Sequence, residues 1–210
     1  MIDLPDKHTH KPTITNKLRE DIVKLSKSSG KPSYLEIGFD RGFTMASLSP
    51  HFVSMYGIDI SQDRFNEATQ LFQENKVKNA MIFCGNSTRI PFNRYDVVLI
   101  DAAHDYDNVL FDTVNVLSKN ISEKPFFIIY HDYGLVNAGV RKFCDSFFKD
   151  FMVPVGEPTG WNPLGGLVDG PEAVACAFDA KMKKRYLDEL QKKIKDINLK
   201  KQVKNAQRLP

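Results

Sequence analysis

Between residues 33 and 130, five short apolar runs alternate with segments of helical character, and this alternation constrains the chain more than any other feature. The runs cover 33–37, 52–58, 80–84, 95–100 and 125–130. Each is continuously apolar, without the in-and-out alternation of a strand that faces water on one side. Such strands belong inside a parallel sheet covered by helices on both faces. The intervening segments suit helices: 43–48, 62–75 with Ser61 placed as an N-cap, 108–117, and 136–150 after the fifth run. An earlier amphipathic helix is expected over 14–28, where Leu18, Ile22 and Leu25 recur at helical spacing before Gly30 and Pro32 stop it. The order changes after Phe151. Runs 152–155 and 173–178 have no helix between them, and their connection, from Gly156 to Pro171, is rich in glycine and proline, as in a long exposed hairpin. A charged helix over 181–200 closes the chain, giving a domain over 1–180 and a basic amphipathic helix and tail over 181–210.

A chain of 210 residues with 42% hydrophobic content suits one well-filled core and excludes a disordered polymer. No apolar run approaches the ~20 residues needed to span a bilayer. The opening residues lack a basic segment followed by an apolar stretch, so no secretory signal is read. Cys84, Cys144 and Cys176 have no metal-type spacing and sit in apolar surroundings, which predicts buried free thiols in a reducing compartment, the cytoplasm. The net charge of +3 conceals an asymmetry: from Lys181 to Lys204 there are ten Lys or Arg against Asp188, Glu189 and Asp196, leaving the remainder slightly acidic. Such a helix either docks nucleic acid or presents a solvated face, and the solvated face is the commoner case. Leu187, Leu190, Ile194 and Ile197 form an apolar stripe along it, suited to covering the protein body or pairing with a second subunit in a homo-oligomer.

Ligands of doubly wound sheets bind beyond the carboxyl ends of the strands. Here those ends are polar. The first run enters Glu36-Ile37-Gly38-Phe39-Asp40-Arg41-Gly42; the second ends in Asp59; Gly85-Asn86-Ser87 follows the third; the fourth ends in Asp101 and the fifth in His131-Asp132. The glycine spacing differs from the G-x-G-x-x-G of pyrophosphate sites, which counts against a dinucleotide. Asp59 stands where a carboxylate grips ribose hydroxyls in such folds. Its alternative is to cap the next helix, a role open to Ser61.

Taken together, Tyr34-Leu35-Glu36-Ile37-Gly38, Asp59, Gly85-Asn86-Ser87 and Asp96-Val97-Val98-Leu99-Ile100-Asp101 resemble the ordered motifs of class I S-adenosylmethionine (SAM)-dependent methyltransferases, over about residues 33–150. The resemblance implies an α/β, Rossmann-like three-layer sandwich with a mostly parallel seven-stranded sheet whose last strand is antiparallel. It implies SAM as cofactor, with Glu36, Gly38, Gly42, Thr44, Asp59, Asn86, Ser87 and Asp101 around it: Gly38 and Gly42 at the methionine moiety, Thr44 at its carboxylate, and Asn86 and Ser87 near the adenine. The stretches Asp101-Ala102-Ala103-His104-Asp105-Tyr106 and His131-Asp132-Tyr133 are similar to patterns of small bacterial O-methyltransferases related to the catechol type. There, acids after strands four and five hold a divalent metal, and Asp101 and Asp132 fall on those positions. Tyr133 stands where that type usually has Asn, so His131 or Asp105 would complete the site. Oxygen ligands suit Mg²⁺, and a His in the set also suits Mn²⁺ or Fe²⁺. The alternative for these acids is a structural one, as helix caps. His104 takes the place of a lysine in that type, and a histidine can accept a proton near neutral pH.

The expected activity is methyl transfer from SAM to an oxygen of a small-molecule acceptor, with His104 and Asp101 in catalysis and Asp101, His131 and Asp132 at the metal. Three alternatives stand beside it: a metal-independent small-molecule methyltransferase, an RNA or protein methyltransferase that docks through the basic helix, and a non-catalytic SAM- or NAD-binding protein.

Overall fold

The computed structural model describes residues 14–27, 30, 32–90, 94–158 and 168–206, the last six by backbone alone. Seven strands form one sheet: β1 Ser33–Ile37, β2 Ser54–Asp59, β3 Ala80–Cys84, β4 Val97–Ile100, β5 Phe126–His131, β6 Val153–Val155 and β7 Ala173–Phe178. Their order is β3-β2-β1-β4-β5-β7-β6. The pairs from β3 through β5 are parallel, whereas β7 runs antiparallel to both β5 and β6. This is the Rossmann-like sheet that the resemblance implies, with the reversed strand inserted between β5 and β6.

Alternate residues of each apolar run feed two separate cores. In β4, Val97 and Leu99 enter one cluster and Val98 and Ile100 the other; all four are buried. Helices α1 Asn16–Ser26, α2 Phe43–Leu48 and α3 Gln62–Glu74 cover the first face. Helices α4 Tyr106–Lys119, α5 Gly139–Phe147 and α6 Ala180–Ala206 cover the second. Each fully buried aliphatic side chain contributes roughly 1.5–3 kcal/mol, so two-faced burial is what makes a short parallel strand stable. Ser61 caps α3 as expected, its hydroxyl accepting from the Arg64 N–H at 3.3 Å.

The structure departs from the sequence reading in three places. Cys84 is exposed, unlike Cys144 and Cys176, because β3 is an edge strand and Cys84 lies at its open end. Residues 136–138 are not helical: Leu135 bridges to Val168, and the chain turns there before α5 begins at Gly139. Helix α6 runs six residues beyond Lys200. Ser28 of the expected first helix, the stretch 159–167 of the β6–β7 connection and the last four residues lie outside the described residues. No described helix is long and apolar enough to cross a membrane.

Candidate active site

Strand order reverses between β1 and β4, whose neighbours continue in opposite directions. The crevice outside the carboxyl ends at such a switch point is where this architecture binds ligands. The two strand ends meet closely. A Cβ added to Gly38, at φ +87°, would lie 2.3 Å from the Asp101 carbonyl oxygen. No other residue permits both that conformation and that approach. Gly42, also left-handed, caps α2, and Thr44 is buried in the first turn of that helix.

Around this turn the acids divide by exposure. Glu36 is fully buried beneath the edge and accepts a hydrogen bond from the Tyr34 hydroxyl at 2.9 Å. Burial, with Asp101 nearby, holds its carboxyl well above the usual range. Asp59 is partly exposed at the end of β2, and its two oxygens accept from the Asp40 N–H at 3.1 Å and the Ser61 N–H at 2.9 Å. Beside it, Asp40 Oδ2 is buried with no hydrogen-bond partner. The nearby cations are engaged elsewhere, Arg64 by Asp40 at 2.8 Å and Arg41 by Glu67 at 3.1 Å. A carboxylate pair with an unfilled acceptor suits a ligand bearing hydroxyl or ammonium donors. These acceptors fit the ribose hydroxyls of SAM. Asn86 caps the short turn Ser87–Arg89 by accepting from the Thr88 N–H at 3.2 Å. The Ser87 hydroxyl is directed at α4, donating to Asp112 at 2.5 Å while accepting from Asn115 at 2.9 Å.

A second group gathers on the β4–β5 side of the crevice. Asp101, His131 and Asp132 each present a ligand atom, all within 4.8 Å of one another. His131 Nδ1 lies 2.8 Å from Asp101 Oδ1 and 3.3 Å from Asp132 Oδ2. Asp132 holds a left-handed conformation, φ 58°, which is uncommon outside glycine and turns its carboxylate back toward the strand ends. His104 joins the same carboxylate, Nε2 to Oδ2 at 2.5 Å. That hydrogen bond, against the opposing effect of burial, raises the His104 pKa above its ordinary value. The His104 carbonyl accepts from the Gly139 N–H at 2.6 Å, tying its loop to the start of α5. Two carboxylates and an imidazole are a hard-to-borderline donor set that fits a divalent cation. Asp105, the other candidate for completing the site, instead caps α4, accepting from the Asn108 N–H at 3.0 Å.

Sequence reasoning missed two members of this cluster. Glu172 is buried, with Oε1 3.1 Å from His131 Nε2. Thr15, the N-cap of α1, donates its N–H to Glu172 Oε1 at 3.0 Å and its hydroxyl to Oε2. The available signal was an acid placed directly before the seventh strand.

No protein-family profile matches the chain, and no curated protein does. Solved structures do match. A provisionally assigned O-methyltransferase from Klebsiella pneumoniae superposes with TM-score 0.59 at 16% identity, covering 84% of this chain and 83% of that one. An O-methyltransferase from Bacillus cereus, solved in complex with S-adenosylhomocysteine (SAH), gives TM-score 0.58 at 15% identity over 81% of this chain and 85% of that one. An rRNA methylase from Streptococcus thermophilus gives 0.53 at 10% identity over 78% and 97%. Four further matches span only 47–56% of their counterparts' length. The chain thus has the Rossmann-like fold of class I methyltransferases.

Proposed function

We propose that this chain is a SAM-dependent methyltransferase that methylates an oxygen of a small-molecule acceptor, with a divalent cation held by Asp101, His131 and Asp132. The observation that carries this reading is the convergence of those three side chains within 4.8 Å at the switch-point edge, with His104 on the same carboxylate. The fold shared with O-methyltransferases supports it. Three free thiols, two of them buried, suit the reducing conditions of the cytoplasm.

When bound, SAM supplies a methyl group on a sulfonium and a divalent ion lowers the pKa of a coordinated hydroxyl. The rest is the work of the chain. Asp59, with the unfilled oxygen of Asp40 beside it, would accept from the ribose hydroxyls, and the bare Gly38 turn would let the methionine end approach the backbone. Asp101 and Asp132, with His131, would hold the cation and so orient the acceptor oxygen toward the methyl group, and such alignment is a main source of rate. His104 takes the acceptor's proton on its ring, and Asp132 stabilises the resulting imidazolium.

Calorimetry should show SAM and SAH binding, weakened by roughly 1.5–3 kcal/mol in Asp59→Ala, the range for charge-assisted hydrogen bonds. Methyl transfer to catechol- and hydroxy-acid-type acceptors should stop in EDTA and return with Mg²⁺ or Mn²⁺. Activity undiminished by exhaustive chelation would leave the metal-independent reading. Absence of SAM binding to folded protein would remove the methyltransferase reading altogether.

A further inference from the structure

Both ring nitrogens of His131 face carboxylates. Nδ1 points at Asp101 and Asp132 in the crevice, while Nε2 points inward at Glu172. The histidine and Glu172 are each no more than 4% exposed as side chains. Two donors converge on the Glu172 carboxylate, the Thr15 N–H and the Thr15 hydroxyl, and His131 Nε2 lies 3.1 Å from the same group. A carboxylate oxygen is an acceptor, so the ring atom facing it carries the proton. With Nε2–H directed at Glu172, Nδ1 is the nitrogen aimed between Asp101 and Asp132, where the two carboxylates hold a proton on it until a cation takes that place.

The site around Glu172 is built to hold the carboxylate still. Gly156, at φ +74°, leaves room that a Cβ would take, only 2.7 Å from Glu172 Oε2 and 3.1 Å from Leu18. Its N–H is fixed by Asp21 of α1 at 3.1 Å. The Thr15 hydroxyl that donates to Glu172 also accepts from the Leu18 N–H, capping α1. The packing of α1 and the β6–β7 connection therefore presets the orientation of one imidazole.

We propose that Glu172 is a positioning residue that fixes the ring orientation and tautomer of His131, so that Nδ1 is the nitrogen presented to the cation between Asp101 and Asp132. The cation is part of the function proposed above; the control of the ring by Glu172 stands independently of it. An outer carboxylate that holds a ligand histidine in this way commonly changes metal affinity 10- to 100-fold when lost.

Nitrogen-15-labelled protein without metal, its His131 signals assigned by difference to His131→Asn, reports which ring nitrogen carries the proton. In the wild type a proton on Nε2 is expected, beside the one that Asp101 and Asp132 hold on Nδ1 in the absence of a cation. Glu172→Gln preserves shape but weakens the acceptor, and it should move that pattern toward Nδ1 protonation. It should also lower the affinity for Mn²⁺ alone, read by electron paramagnetic resonance, by ~10-fold or more, with SAH affinity unchanged. A ring pattern in Glu172→Gln identical to the wild type overturns the proposal, as does a wild-type ring already protonated on Nδ1 alone. If Glu172→Gln does not fold, Glu172→Asp keeps the charge but withdraws the carboxylate from Nε2 and must shift the ring pattern in the same direction; an unchanged pattern is equally fatal. If the wild type takes up no Mn²⁺ at millimolar concentration, the cation reading fails while the ring pattern still decides the role of Glu172.

Discussion

At the scale of single residues, the candidate site was legible where the chain follows the sheet's own logic. Asp59, Asp101, His131 and Asp132 each stand at the carboxyl end of a parallel strand, so a search along those ends finds them. Glu172 escapes that search for a physical reason. It precedes β7, the antiparallel strand, whose amino end pairs Ala173 with His131 and so arrives at the same edge from the opposite direction. Thr15 was hidden too, because a helix N-cap reads as local punctuation and only the fold brings it to Glu172. Ser87 was read as an adenine-side residue, and the structure gives its hydroxyl to Asp112. Burial raises the Asp112 carboxyl from its ordinary 3.8 to about 6, against the lowering effect of the Ser87 hydrogen bond. The folded state therefore binds a proton more tightly than the unfolded chain, and stability falls as pH rises from about 4 through 6. Above that window the cost is constant, at most about 3 kcal/mol. Asp112→Asn, which can still accept from Ser87, should melt higher than the wild type at pH 7–8, and the gap should close toward pH 4. A gap that does not vary with pH would show that burial of this charge is not its source.

At the scale of elements, existence and type were readable and boundaries less so. The five parallel strands are plain because apolar residues dominate their runs, despite Glu36 in β1 and Ser54 in β2. Helix α5 begins later than its apolar pattern suggests, because the bridge from Leu135 to Val168 holds the preceding residues in a turn. Helix α6 ends later than expected, at Ala206, and its apolar stripe docks as read, with Tyr186 added. Its stripe was read as Leu187, Leu190, Ile194 and Ile197. The structure seats Tyr186 and Leu190 deepest, with Leu187, Ile194 and Ile197 packed around them. Tyr186 meets Phe148, Phe151 and Phe178 at ring-centroid distances of 5.2–6.0 Å. Lys183 reaches back to the Asn120 carbonyl at 2.7 Å. The helix is thus fastened to the body by its apolar side, while Lys181, Lys184, Lys192, Lys193 and Lys195 remain exposed. Two fully buried side chains represent roughly 3–6 kcal/mol, a large part of a domain's usual margin of 5–15 kcal/mol. Truncation after Ala180 should lower the melting temperature well beyond the ~2–4 °C expected per kcal/mol for a chain of this size, and expose apolar surface to a reporter dye. If melting is unchanged and only binding to RNA or anionic vesicles is lost, the helix is a docking arm instead.

At the scale of the whole molecule, the sheet joins two cores through strands that belong to both, and the order of those strands departs from the order of the chain twice, at the β1–β4 switch and again beyond β5. β7 lies between β5 and β6, so β6 has no partner until β7 is in place. This sets a timetable for synthesis on the ribosome. When a nascent chain has emerged only as far as residue 158, β5 still has an unpaired flank, with Phe126, Ile128 and Tyr130 awaiting the neighbours that Cys176 and Phe178 will bring. A long apolar strand with an open edge is the form most prone to join another chain. Chains released at residue 158 should therefore sediment as aggregates, whereas chains released at Ala206 should remain dispersed; equal dispersal of both would show that the sheet tolerates its gap. Because the late strand also delivers Glu172 to His131, the last piece of the sheet to arrive is the one that brings the buried carboxylate to the candidate site.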